Sequence, residues 1–137
     1  MRVFQTVAVA LAFSPMNTAM AQEHIRISSD WGHVTAELVD NDATQSLKRM
    51  LPVTIDLRDH LRQEKTGSLP SPLPEALRQR DFAVGTLGLW GPDNFVIYYR
   101  SGRVPQPGIT ILGNVNGDVS IFDHPGPITV RIELMNP

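Results

Sequence analysis

Cysteine is absent from all 137 residues, which excludes disulfide staples, thiol nucleophiles and thiolate metal sites together. Long hydrophobic runs are missing too. The most apolar stretch, Val3 to Phe13, falls well short of the ~20 residues that a membrane-spanning helix requires. No lysine or arginine cluster stands out. With 12 basic and 14 acidic residues and a formal net charge of −2, the chain offers phosphate backbones no positive footprint, so nucleic acid is not an expected partner. A G-x-S-x-G elbow is lacking. Gly113-Asn114-Val115-Asn116-Gly117 has neither the lysine nor the following helix of a phosphate cradle and reads as a turn. His24, His33, His60 and His124 are dispersed, and only His33 and Glu37 have a spacing that shares a strand face. Neither a metal site nor a cofactor is therefore expected.

What is present begins with a leader. Met1-Arg2 gives a positive start, Val3 to Phe13 an apolar stretch, and Ala19-Met20-Ala21 a small-x-small cleavage pattern. Residues 1–21 read as a signal peptide cut before Gln22, and its loss would make the charge one unit more negative. The remaining 22–137 are enough for one domain, exported to the periplasm or secreted, with no second apolar run to anchor it in a membrane.

Strand patterns fill that domain. The central one is Asp81 to Gly102, where two apolar runs flank Gly91-Pro92-Asp93-Asn94, a cluster suited to tight reversal. Phe82, Val84, Thr86, Gly88 and Trp90 share one face of the first arm. On the second, Phe95, Ile97 and Tyr99 face one way and Val96, Tyr98 and Arg100 the other. Both faces are apolar, so the pair should be covered on both sides. Ile25 and Ile27, then Val34, Ala36 and Leu38, alternate about a turn at Ser29–Gly32; Val53, Ile55 and Leu57 alternate again. One short helix is expected over Ala43 to Met50, with Asp42 and Gln45 as a capping box and Pro52 as its stop. Gly67 to Pro74 and Pro105 to Gly108 read as loops, and Glu64-Lys65 as a loop pair. Ile109 to Leu112 and Pro127 to Met135 read as strands, and Asn116-Gly117 as a turn with positive φ. Gly85 and Gly88 read as bends or close backbone approaches.

Several of these segments carry a resemblance in their order. Leu51-Pro52-Val53-Thr54 after the helix, Asp59-His60 leading to Glu64-Lys65, Leu69-Pro70 with Pro72-Leu73, Gly88-Leu89-Trp90-Gly91-Pro92 running into Ile97-Tyr98-Tyr99, and Leu112-Gly113 together resemble the bacterial cyclophilin-like fold family. The resemblance implies a mainly β fold, a closed antiparallel β-barrel of about eight strands with one short helix, in a family of small stand-alone domains of unassigned activity. True cyclophilins isomerise X-Pro bonds with an arginine in a Phe-His-Arg run. No such run occurs here, and a fold does not fix a function. Arg100 is better read as stacked on a tyrosine or paired with an acid, so peptidyl-prolyl isomerase activity is the alternative and no catalytic residue is assigned. The leading expectation is that the barrel mouth gathers Trp90, Tyr98, Arg100, Glu64 and Lys65 into a site for an unidentified small molecule or peptide. A structural or partner-docking module comes third.

Overall fold

The alternating segments become the walls of a barrel. The computed structural model describes residues 23–135, so the leader read over 1–21 lies outside the described residues. The strands are β1 (His24–Ser29), β2 (Gly32–Leu38), β3 (Val53–His60), β4 (Glu64–Ser68), β5 (Arg78–Gln79), β6 (Asp81–Phe82), β7 (Thr86–Trp90), β8 (Asn94–Tyr98), β9 (Gly102–Arg103), β10 (Ile109–Val115) and β11 (Ile128–Met135). Eight of them close a ring in the order β2-β1-β11-β3-β4-β8-β7-β10, with β10 returning to β2 and every pairing antiparallel. Closure leaves none of the eight with a free edge.

One residue in two along each wall points inward. Ile25, Ile27, Ala36, Leu57, Leu87, Phe95, Ile97, Leu112, Val130 and Ile132 meet in a single core that also takes Ala43 and Leu47 from the helix α1 (Asp42–Arg49) and Val119 and Phe122 from a 3-10 turn. At about 1.5–3 kcal/mol for each large apolar side chain fully buried, such a core can hold a chain without disulfides. A second cluster lies outside the barrel wall, where Phe82, Val104 and Ile109 cover Val96 and Tyr98. Residues 78–84 and 102–109 lie over that face, tied by the β6–β9 ribbon, by β5 on β10 and by the Val104 amide donating to Arg80 O at 2.9 Å. The central hairpin is thus covered on both sides.

Local details differ from the sequence reading. The helix is capped one residue earlier, by Asn41, whose side chain accepts from the Thr44 amide at 2.8 Å while the Thr44 hydroxyl accepts from the Asn41 amide at 3.1 Å. The first arm of the central hairpin is broken: Gly85, at φ +92°, separates β6 from β7 and leaves Val84 exposed. Gly88 is a packing glycine, with Tyr98 Cε2 3.4 Å from where a Cβ would stand. Positive φ occurs at Gly32 in the first hairpin turn, and not at Asn116-Gly117. The largest departure is β4. Its sequence Glu-Lys-Thr-Gly-Ser looks like a polar loop, yet Glu64 to Gly67 are all buried and pair with β3 on one side and β8 on the other.

Candidate functional site

Strand pairing sets charged and phenolic side chains opposite one another. On the outer face of the barrel, β3, β4 and β8 run side by side with His60 opposite Glu64 and Glu64 opposite Tyr98; the adjoining row is Arg58, Thr66 and Val96. Directly opposed residues lie close enough to interact. The hairpin tip at Leu61, the end of β7 at Trp90, and Arg103, Val104 and Pro105 of the covering segment complete a groove of about 390 Å³ over these rows.

Its floor is polar and largely buried. Glu64 is 7 % exposed and its Oε1 accepts from Gln63 Nε2 at 2.8 Å. Burial raises its carboxyl above the usual range, against opposing pulls from the Gln63 hydrogen bond and the charges of His60 and Arg58. Tyr98 is 1 % exposed and stacks on Phe82 with ring centroids 3.8 Å apart. Burial, and then the charge of Glu64, push its hydroxyl well above the usual phenol range, so it is a neutral donor. That hydroxyl makes no hydrogen bond among the described residues, and since none of their buried side-chain polar atoms is orphaned, it opens on the groove. At the rim Arg103 pairs with Asp81 at 3.2 Å.

Directly behind this floor, inside the barrel, sits a second polar group. Lys65 is fully buried; its Nζ donates to Asp59 Oδ1 at 2.9 Å, to Gly126 O at 2.8 Å and to His124 O, and stands 5.1 Å from the Trp31 ring centroid. Tyr99 donates to the same Asp59 oxygen. Arg62 donates to Tyr99 Oη at 3.0 Å, to Asp59 Oδ1 at 3.3 Å and to Asp123 at 2.8 Å, and Arg100 reaches Asp123 at 3.3 Å. Burial alone would raise the Asp59 carboxyl; the hydrogen bonds from Tyr99 and Lys65 outweigh it and hold the group below its usual value.

The five side chains expected at a barrel mouth therefore do not meet. Trp90, Tyr98 and Glu64 line the outer groove. Lys65 follows Glu64 in β4 and so points to the opposite face, into the interior, where it is sealed from ligand. Arg100 lies beyond the end of β8, mostly exposed, with Asp123 as its partner. Glu64 and Lys65 are strand residues with opposite fates, and not a solvated loop pair. Gln63, His60, Arg58 and Arg103 are the groove residues that sequence reasoning left out; His60 would have been found had β4 been read as a strand. Glu37 pairs with His24 across β1–β2 at 3.3 Å, not with His33. Among the described residues no three histidine, aspartate or glutamate side chains group as metal ligands would. A larger concavity of about 550 Å³ beside Asp56 and Pro127 has no buried titratable side chain in its lining.

Comparison with known proteins agrees with the barrel. The family model of the Cyclophilin-like family matches residues 27–133. A hypothetical protein from Archaeoglobus fulgidus, known from its solution structure, superposes with a TM-score of 0.65 at 11 % identity, covering 82 % of this chain and 94 % of that one. At that identity the likeness is one of fold. No curated protein matches the chain.

Proposed function

Because this chain belongs to the cyclophilin-like family, whose barrel assigns no activity by itself, we propose that it is a binding domain that takes a small molecule or peptide in the outer groove between β3, β4, β8 and the covering segment. One observation carries the reading. Glu64 and Tyr98 are directly opposed and almost wholly buried, yet among the described residues the carboxyl has a single donor and the phenol has no partner. The Tyr98 hydroxyl opens on the groove and the Glu64 carboxyl beside it keeps acceptor capacity to spare, so the two stand ready to meet the polar part of whatever enters, as the few placed polar groups of a ligand site do. The surrounding Trp90, Leu61, Val104 and Pro105 supply the apolar walls usual in ligand sites.

A library of metabolites and short peptides scanned by thermal unfolding tests this. A ligand at one hundred times its dissociation constant adds about 2.7 kcal/mol to stability, and Tyr98→Phe should weaken that gain. Silence across the library, with periplasmic proteins co-purifying, would favour the docking reading instead. Prolyl isomerisation through Arg100 has little to support it, because the guanidiniums that face the groove are Arg58 and Arg103. Faster cis/trans exchange of a proline peptide, lost in Arg58→Ala or Arg103→Ala, would revive that alternative. We further read residues 1–21 as an export leader, which sets the groove in the periplasm or outside the cell; a mature protein beginning at Gln22 is the expected product.

A further inference from the structure

We propose that the groove takes a carboxylate carried on an apolar or aromatic body, a chemistry shared by small aromatic acids and by the C-terminal residue of a peptide. This rests on the groove being the binding site, and the charge around it decides the class. From β3 come Arg58 and His60, while Asp59 between them turns to the interior and is engaged by Lys65. From β4 comes Glu64, with Lys65 turned inward. Tyr98 comes from β8, and from β9 comes Arg103, whose ion-pair partner Asp81 is itself exposed and outside the lining. Two guanidiniums and an imidazole thus line a groove whose only lining carboxyl among the described residues is the buried Glu64.

A ligand amine would meet Glu64 in a groove that Arg58 and Arg103 also line. A ligand carboxylate finds both arginines, His60 and the free Tyr98 hydroxyl as donors, and charge-assisted hydrogen bonds of this kind are the strong ones. Its conflict is with Glu64, and a proton resolves it: already reluctant to ionise, the Glu64 carboxyl takes up a proton when an anion arrives and becomes a further donor. The ligand's body is received by Trp90 and Leu61, which are 37 % and 76 % exposed.

The experiment titrates the full chain with 3-phenylpropionate and with 3-phenylpropylamine, equal in body and opposite in charge, following the backbone amide signals of the groove residues. The acid should bind and the amine should not, and the acid's affinity should rise as pH falls from about 8 to about 5.5, with proton uptake. Glu64→Gln should keep the acid and flatten that slope. Tyr98→Phe should weaken the acid about tenfold at every pH. Acetyl-Ala-Phe with a free terminus, compared with its amide, separates the two sources: tighter binding than phenylpropionate identifies a peptide end, and weaker binding identifies a free acid. Preference for the amine, or a pH slope unchanged in Glu64→Gln, overturns the carboxylate inference while the groove stays a binding site. If neither probe and nothing in the library moves the groove signals, the binding reading falls with it.

Discussion

Two sides of one stretch of barrel wall hold the same chemical groups in opposite states. On the inside, a carboxylate (Asp59), a phenol (Tyr99) and an amine (Lys65) satisfy one another and two backbone carbonyls. On the outside, a carboxyl (Glu64) and a phenol (Tyr98) stand opposed with only Gln63 donating to them. The members come from consecutive pairs in the chain, Glu64-Lys65 in β4 and Tyr98-Tyr99 at the end of β8, divided between the two faces by strand alternation. Composition is therefore no guide to role here. The side with its polar groups closed on themselves holds the barrel end together, and the side with them open is the one proposed above for a ligand.

The comparison breaks most visibly at Lys65. Lys65→Met leaves Asp59 and the carbonyls of His124 and Gly126 short of their donor in a buried setting, a change that should cost roughly 3–5 kcal/mol. Urea unfolding measures it, and adding Asp59→Asn should recover part of the loss by removing a charge that only the more distant Arg62, at 3.3 Å, would still balance. Glu64→Gln, one residue away, should be neutral or stabilising at neutral pH. A Lys65→Met protein within about 1 kcal/mol of wild type would show that the interior network is not structural.

The two tyrosines give the next largest contrast. Tyr99→Phe removes a hydroxyl that donates to Asp59 and accepts from Arg62, and should cost about 1.5–3 kcal/mol as a bond to a charged group. It should also shift acid unfolding upward. Asp59, held below 3.8 in the fold, contributes stability that is present above its unfolded value and is lost as pH falls through the folded one; without Tyr99 the folded value lies higher and that contribution is smaller. Tyr98→Phe has no protein partner to lose, so its stability should stay within about 0.5 kcal/mol while its effect appears in ligand affinity. Equal losses from the two substitutions would erase the distinction between the faces.

Much of the barrel was legible because its walls alternate: Ile25 with Ile27, Val53 through Leu57, Phe95 through Tyr99 and Ile128 through Ile132 all point where period two places them. The strand β4 was not legible, since its inward residue is a lysine and its outward one a glutamate, and buried charges in a short segment look like a solvated loop. With β4 misread, the site could only be partly drawn. Of the five residues expected together, residue type suffices to bring Trp90, Tyr98 and Glu64 to one groove, whereas Lys65 and Arg100 lie away from it, because facing cannot be assigned without the strand. Arg103 was beyond reach, as it enters the groove through the fold-over of residues 102–109, a long-range packing event that local periodicity does not encode.

The smallest expected effect sits at the hairpin tip that joins the two sides. Leu61 and Arg62 both have positive φ, 56° and 50°, a conformation that costs a branched or long side chain about 1–2 kcal/mol each. They divide as the other pairs do: Leu61 lines the groove, and Arg62 reaches Asp59, Tyr99 and Asp123 on the interior side. Leu61→Gly relieves strain at one position and adds about 0.5–1 kcal/mol of unfolded-chain entropy, so its net effect on stability should be stabilising by less than about 1 kcal/mol, with a loss of affinity for any ligand whose apolar body rests on the tip. Arg62→Gly relieves the same strain and yet should destabilise, because it also removes the bonds to Asp59, Tyr99 and Asp123. If Leu61→Gly instead lowers the urea midpoint as much as Arg62→Gly does, then Leu61 is packed for the fold and not turned toward the groove, and the strained tip has no claim to serve the outer face.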